Sequence, residues 1–191
     1  LSKDVVSIEK ALEGAKHIIA EWISENPEVR QKLRKLYNSL AEITAKIVKS
    51  EKDNPAAQKY KQYFDWQESL KRIPSHRLLA ILRAEKEGFI KMKLEVDDIT
   101  MLDQISGVIL KKRDQNSKYI IEAIEDSYKR LLKPSFSNEA ISEAKNRADE
   151  DAIKVFSENL EQLLLAPPLG NKRILAIDPG FRSGCKVVCL D

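Results

Sequence analysis

The sequence lacks the long apolar runs of a membrane protein. No hydrophobic stretch approaches the roughly 20 residues that a transmembrane helix needs, and no apolar signal segment follows the first residues. Hydrophobic residues make up 42% of the chain and charged residues 33%, a balance typical of helix-rich globular proteins. We therefore expect a soluble, cytoplasmic protein.

Residues that bind metals or form disulfides are scarce. The chain has two cysteines and two histidines. Cys185 and Cys189 are four positions apart on a predicted strand, so their side chains share a face but lie roughly 13 Å apart, too far for a disulfide. We expect both thiols to be reduced and buried. A zinc site is not expected, because His17 and His76 lack ligand spacing.

A strong charge of one sign is also absent. The 33 basic and 30 acidic residues give a formal charge of +3, too balanced to predict nucleic-acid binding without clustering on one face. Six glycines and seven prolines leave little room for long loops. The chain starts with Leu1 rather than methionine, so we expect a piece of a longer protein.

The C-terminal end predicts a β-hairpin. The apolar run from Arg173 to Ile177 reads as a buried strand, and a second run starts at Cys185. Pro179 and Gly180 break the chain after Asp178, which places that carboxylate at the end of the first strand. Because an isolated hairpin is marginal in water, we expect it to open a larger, truncated domain.

The rest of the chain shows helical periodicity. Apolar residues recur every three or four positions up to Trp22 and again from Val29 to Ile47, which predicts an antiparallel helical hairpin. Asn26 suits the N-cap between the two helices and Pro27 the first helical position. Later helices are predicted in five places: a short one opening at Asn54, 76–87 with Ser75 as cap, 97–109, 120–131 ending at Pro134, and about 138–165.

Two short segments depart from simple helical periodicity. Residues 89–96 alternate apolar and charged side chains, which predicts a half-exposed strand, although no local partner strand is evident. The aromatic group of Tyr60, Tyr63, Phe64 and Trp66 is expected to form core rather than a base-stacking platform. Together the patterns predict a mainly α multi-helix bundle at 1–166, a linker at 167–171 and a hairpin at 172–191.

Asp178 is the first candidate site residue. A carboxylate at a strand end can bind Mg²⁺, but a two-metal nuclease needs further acids, and Asp191 is the only other acid downstream. Asp178 could equally cap the turn. Arg182, in the same loop, could contact a phosphate or remain a solvated turn residue.

Other candidates lie on the predicted helices. Ser75, His76 and Arg77 start a helix, where free amide groups favour anions, although Ser75 could simply be a cap beside two surface residues. Two basic runs, 111–113 and Lys129-Arg130 with Lys133, could track phosphates or form solvated faces.

Five segments of the chain stand out together: ALEGAKHIIAEWISEN at 11–26, IPSHRLLAILRAEKEG at 73–88, DSYKRLLKPSFSNE at 126–139, ENLEQLLLAPPLG at 158–170 and IDPGFRSGCKVVCLD at 177–191. Taken together, these segments resemble the Tex family of bacterial transcription accessory proteins. The resemblance spans nearly the whole chain in order and so is more specific than any one segment. One departure is Ala84, where the family commonly has glycine, which puts a close backbone contact there in doubt.

The resemblance implies a chain that covers much of a helical region, containing a helix-turn-helix, and enters a YqgF-type, RNase H-like domain through its first hairpin. Asp178 then matches the opening acid of that domain, and Arg182 lies in its characteristic loop. Family members also carry helix-hairpin-helix elements and an RNA-binding barrel, and resemble elongation factors that travel with RNA polymerase.

The expected function is a nucleic-acid-binding scaffold that holds no cofactor and performs no catalysis. RNA or DNA is the expected partner, RNA polymerase a further one, and Arg182, Ser75, His76 and Arg77 the expected contacts. Mg²⁺ would bind Asp178 only in a full-length nuclease. The alternatives are that nuclease, an actin- or sugar-kinase-like ATPase, and a structural adaptor. The hairpin edges also predict artefactual dimers.

Overall fold

Six α-helices dominate the part of the chain that the computed structural model describes, namely residues 7–110, 117–168, 170–180 and 184–191. This confirms the prediction of a mainly helical fold with a C-terminal hairpin. Contacts divide the chain into two compact units, Leu1–Ala152 and Ile153–Asp191. The helices are α1 Ile8–Glu25, α2 Pro27–Leu40, α3 Ser75–Lys86, α4 Asp98–Ile109, α5 Ser117–Asp126 and α6 Lys133–Leu164.

The turn between the first two helices lies where the sequence predicts it. The side chain of Asn26 accepts hydrogen bonds from the amides of Glu28 and Val29 at 2.9 and 3.1 Å, and Pro27 occupies the first turn of α2. α1 contacts α2 but packs more extensively on α5 and on the segment that follows α5. No helix in the described ranges is long and apolar enough to cross a membrane.

The prediction that the second helix extends to Ile47 is wrong. α2 ends at Leu40, and β1, Glu42–Ile47, is the central strand of a three-stranded antiparallel sheet in the order β2-β1-β3. Ile43 and Ile47 fit a helical and a strand period equally well. Pairing on both sides by β2, Asp65–Ser69, and β3, Ile90–Glu95, satisfies the β1 backbone and decides the outcome.

The strand predicted at 89–96 is confirmed as β3, and β1 is its partner. The helix predicted from Asn54 is instead a 3₁₀ segment at Ala57–Tyr63, followed by β2. The aromatic residues of this region do form core, as predicted. Tyr60 and Tyr63 are buried, and Phe64 and Trp66 pack against the core while partly exposed.

Pro134 does not end a helix, contrary to the prediction. The chain passes from α5 through a π-helical segment, Ser127–Leu132, directly into α6. In the interior of an ordinary helix, a proline ring clashes with the carbonyl group four residues earlier, and proline has no amide hydrogen to donate. The wider π turn just before Pro134 accommodates both defects, so α6 starts at Lys133 rather than near Asn138.

Phe136 is buried in the core of the first unit. Its side chain is 1% exposed and its ring centroid lies 5.7 Å from that of Tyr37 on α2. The guanidinium carbons of Arg30 and Arg34 lie 5.0 and 5.8 Å from the same centroid. One aromatic side chain of α6 thus contacts three positions along α2.

A polar network joins α4 to the π-helical segment. Tyr128 donates a hydrogen bond to Asp98 at 2.7 Å, and the Lys133 ammonium lies 2.7 Å from both Asp98 oxygens. Partial burial alone would raise the pKa of Asp98, but hydrogen bonds from Lys133 and Tyr128 outweigh it and lower that pKa. Burial, followed by the Asp98 contact, raises the pKa of Tyr128.

The second unit contains the end of α6 and an antiparallel hairpin of β4, Ile174–Pro179, and β5, Cys185–Leu190. Both faces are largely apolar: Leu175, Ile177, Val187 and Val188 are all exposed in the described structure. The prediction of buried thiols is wrong, because Cys185 and Cys189 are free and exposed. No described element covers the face that carries them.

We predict that Phe136→Ala lowers the free energy of unfolding by about 3–5 kcal/mol, because it leaves a large cavity between α2 and α6. Phe156→Ala in the same helix is the matched control, since Phe156 is 67% exposed, and should cost about 0.5 kcal/mol or less. Urea denaturation followed by circular dichroism measures both. Equal losses would contradict the assigned core.

We also predict that Asp98→Asn lowers stability by about 1 kcal/mol at pH 7, a modest value because the Asp98 side chain is 47% exposed. The pKa of folded Asp98 lies below its ordinary 3.8. The stabilising contribution of the Asp98 carboxylate is therefore present above about pH 4 and is lost as pH falls through the folded pKa. The difference in stability between wild type and Asp98→Asn should accordingly narrow towards pH 3.

Asp103→Asn removes the same charge from an exposed position of α4 and serves as the control. Thermal unfolding of both variants at pH 7 and pH 3 tests the network. A constant gap between wild type and Asp98→Asn across this range would show that the charged carboxylate is not what stabilises the contact.

Candidate nucleic-acid interface

The predicted contacts at the start of α3 have different surroundings. Ser75 is the first helical residue rather than the cap, which is Pro74, so the capping prediction is wrong. The Ser75 hydroxyl instead donates a 2.5 Å hydrogen bond to Asp151 on α6. This carboxylate lies close to the helix start, where unpaired amides would otherwise attract an anion.

Arg77 is held within the protein. Its guanidinium donates to both oxygens of Glu68 at 2.9 and 2.7 Å, and it lies 4.7 Å from the centroid of Trp66. Its side chain is 28% exposed and that of Glu68 23%. Arg77 therefore clamps α3 to β2, and a phosphate would have to displace Glu68 to reach it fully.

His76 is the open member of the group. It is exposed, and no hydrogen bond or ion pair joins it to another residue in the described ranges. It is thus available to a ligand without any rearrangement. Of the three positions predicted at this helix start, the geometry leaves one side chain free and two engaged by carboxylates.

Asp178 lies one residue before the end of β4, directly opposite Lys186 of β5. The adjacent turn closes with a 2.9 Å hydrogen bond from the Gly180 amide to the Gly184 carbonyl, and Gly184 has a φ of +82°, the left-handed region that favours glycine. Arg182 lies outside the described residues, so its predicted contact stays a prediction.

The described carboxylates do not form a metal centre. Across residues 7–110, 117–168, 170–180 and 184–191, no three His, Cys, Asp or Glu side chains lie close enough to hold a metal ion. Asp178 with a lysine opposite it does not fit the paired acids of a two-metal site.

The basic run on the π-helical segment is paired with carboxylates. Lys129 contacts Glu125 at 3.0 Å, Arg130 contacts Asp126 at 2.8 Å and Lys133 contacts Asp98 at 2.7 Å. Hydrogen bonds from Arg130, offset in part by burial, lower the pKa of Asp126. The other run, residues 111–113, lies outside the described residues.

Sequence patterns do not reveal a basic surface on the three-stranded sheet. Lys46 of β1 faces Lys91 of β3 directly across the sheet, and Lys93 lies two positions further along β3. All three side chains are exposed. The alternation at 89–96 identifies the β3 lysines as solvent-facing, but Lys46 cannot be placed beside them if residues 42–47 are assigned to a helix.

Comparisons with known proteins match the chain along its whole length. The profile of the Tex central region-like family matches residues 1–156. The chain is similar to the uncharacterized protein YdcI of Bacillus subtilis, with 40% identity over 99% of this chain and 26% of the relative. It is also similar to the transcriptional accessory protein Tex of Neisseria gonorrhoeae, with 35% identity over 100% of this chain and 26% of the relative.

A more distant similarity extends to humans. The S1 RNA-binding domain-containing protein 1 of Homo sapiens is 27% identical over 93% of this chain and 19% of its own length. The chain thus spans about a quarter or less of the length of these curated relatives. With the family profile covering most of its residues, the chain belongs to the Tex family and contains the Tex central region.

Proposed function

We propose that this chain is a nucleic-acid-binding scaffold within a transcription accessory factor and performs no catalysis itself. The observation that carries the proposal is the match of the Tex central region profile to residues 1–156. Similarity to a protein named as a transcriptional accessory factor covers all of this chain. The same proposal includes RNA polymerase as a partner and a cytoplasmic location.

The names of the relatives support nucleic acid as the ligand. One is named for transcription and another for an S1 RNA-binding domain, although each extends well beyond the similar segment. Within this chain, exposed His76 at the start of α3 and Arg182, which lies between β4 and β5 in the sequence, are the proposed contacts. Arg77 and Ser75 are proposed to position α3 through Glu68 and Asp151.

The hairpin is proposed to open an RNase H-like sheet in the longer proteins. Strands that are apolar on both faces are typical of sheets covered by helices on both sides, and β4 and β5 have that composition. A metal-dependent nuclease in the longer protein is the second candidate function. It is favoured by one observation, the position of Asp178 near the end of β4.

We predict that this chain binds fluorescein-labelled RNA or duplex DNA and that binding weakens as salt rises, because phosphate contacts release counterions. The double variant His76→Gln/Arg182→Gln should weaken binding several-fold. It should also lower the slope of log affinity against log salt by about 0.7–0.9 for each phosphate that the variant no longer neutralises. Fluorescence anisotropy at several salt concentrations measures both quantities.

The matched control is His17→Gln/Arg83→Gln, which changes the same residue types at exposed positions elsewhere and should bind like the wild type. Equal weakening by the two double variants would contradict the proposed contacts. Absence of salt-dependent binding by the wild-type chain to either nucleic acid would contradict the proposed function and favour a structural adaptor.

We further predict that the chain leaves labelled RNA intact in the presence of Mg²⁺, and that Asp178→Ala is indistinguishable from wild type. One carboxylate cannot supply the paired-metal chemistry of these nucleases. Denaturing gel electrophoresis of the RNA provides the measurement. Mg²⁺-dependent cleavage by a longer protein containing this chain, abolished by Asp178→Ala, would establish the nuclease alternative for that protein.

A further inference from the structure

The outer face of the three-stranded sheet carries three lysines on its two neighbouring strands β1 and β3. Inward-facing Ile43, Ala45 and Ile90 are buried against the core, so the alternate residues of each strand face away from it. Lys46 and Lys91 lie at one end of this outer face, Glu42 and Glu95 lie at the other end, and Lys93 lies between them opposite Thr44.

The three lysines, called here the sheet lysines, form no ion pair in the part of the chain that the structure describes, since no carboxylate oxygen lies within 4.0 Å of their ammonium groups. The two glutamates are engaged elsewhere: Glu42 accepts a 2.6 Å hydrogen bond from Gln67 and Glu95 accepts one from Thr44 at 3.4 Å. Asp65 stands opposite Lys46 on β2 without forming an ion pair.

Lys46 and Lys91 form a direct cross-strand pair of like charges. Such pairs destabilise a sheet, because their side chains lie within about 5 Å of each other at Cβ. Lys49 and Lys52 follow β1 from the same end and are exposed as well. An anion bound between Lys46 and Lys91 would relieve the repulsion between these two side chains.

A groove continues this surface along the free edge of β3. It has a volume of about 500 Å³ and is lined by Lys93, Leu94, Glu95, Val96 and Lys133. β3 is an edge strand in the β2-β1-β3 order, so no strand within the described ranges pairs with its outer backbone groups. Lys133 contributes less charge than Lys93, since Asp98 binds it at 2.7 Å.

The outer face contains no aromatic residue. Its positions are Glu42, Thr44, Lys46, Asp65, Gln67, Ser69, Lys91, Lys93 and Glu95. Single-stranded nucleic acids that are recognised through their bases stack on aromatic side chains, and this face offers none. Ammonium groups act as point charges on phosphate instead.

We propose that the sheet lysines bind the phosphate backbone of a nucleic acid without recognising its bases. This deepens the proposed function and rests on it, because it names the surface of this chain that contacts the ligand. The groove beside β3 gives the nucleic-acid strand a path along the edge of the sheet. That path stops at the acidic end of the face, where Glu42 and Glu95 lie.

The test uses the full chain, fluorescein-labelled oligo(U) and oligo(A) of about 20 nucleotides, and anisotropy between about 50 and 200 mM salt. The variant Lys46→Gln/Lys91→Gln/Lys93→Gln should bind at least about tenfold more weakly at the lower salt. Its salt slope should fall by about 2, because each lysine that neutralises a phosphate of a single strand contributes roughly 0.7. The two oligonucleotides should bind wild type equally within a few-fold.

The matched control is Lys10→Gln/Lys35→Gln/Lys118→Gln, which removes the same charge from exposed positions away from the sheet and should stay within about twofold of wild type. Circular dichroism and thermal unfolding check the fold. Because Lys91→Gln relieves a repulsion, this single variant should melt no lower than wild type while still binding less tightly.

Three results would overturn the proposal, and they are distinguishable. If both triple variants bind like wild type, the sheet lysines are not the site, and the proposed function stands on other residues. If wild type binds neither oligonucleotide nor duplex DNA, the proposed function fails with it. A tenfold preference between oligo(U) and oligo(A) would show that bases are read and would refute backbone-only binding.

Discussion

The first unit depends on one continuous helical run that reaches α6 through the π-helical segment. Along this run, successive side chains meet different neighbours: Asp98 of α4 at Lys133, α2 at Phe136, and the start of α3 at Asp151. An ordinary helix break at Pro134 would separate these contacts. The π turn keeps them on one continuous run, so a single stretch of helix contacts α2, α3 and α4.

The two sheets of the chain satisfy different physical requirements. The three-stranded sheet buries one face against α3 and leaves the other polar, which is the usual arrangement of an antiparallel sheet. The β4–β5 hairpin is apolar on both faces and exposes them. A solvated face can carry charged side chains such as Lys46, whereas a two-sided apolar sheet requires a covering layer. Ligand contacts are therefore more readily built on the first sheet.

Local signals predict much of this fold, and non-local pairing explains the rest. Asn26-Pro27 defines a helix start, and alternation defines β3, because both depend on neighbouring residues alone. Sequence periodicity assigns β1 wrongly to a helix, because Ile43 and Ile47 fit both the helical and the strand period. Only pairing with the distant β2 and β3 decides between the two. The same error hides the pairing of Lys46 with Lys91. Phe136 and the Asp151 contact are invisible in the sequence because they join residues far apart along the chain.

The two cysteines of β5 provide reactive thiols through which the hairpin can be probed chemically. Cys185 and Cys189 alternate with Lys186 and Val188 along β5, so the two thiols share one face, together with Val187 between them. The described structure leaves both accessible. Any layer packed on that face would shield the pair together, whereas a layer on the opposite face would leave both reactive. The rate at which a maleimide alkylates these thiols therefore reports which side of the hairpin is covered.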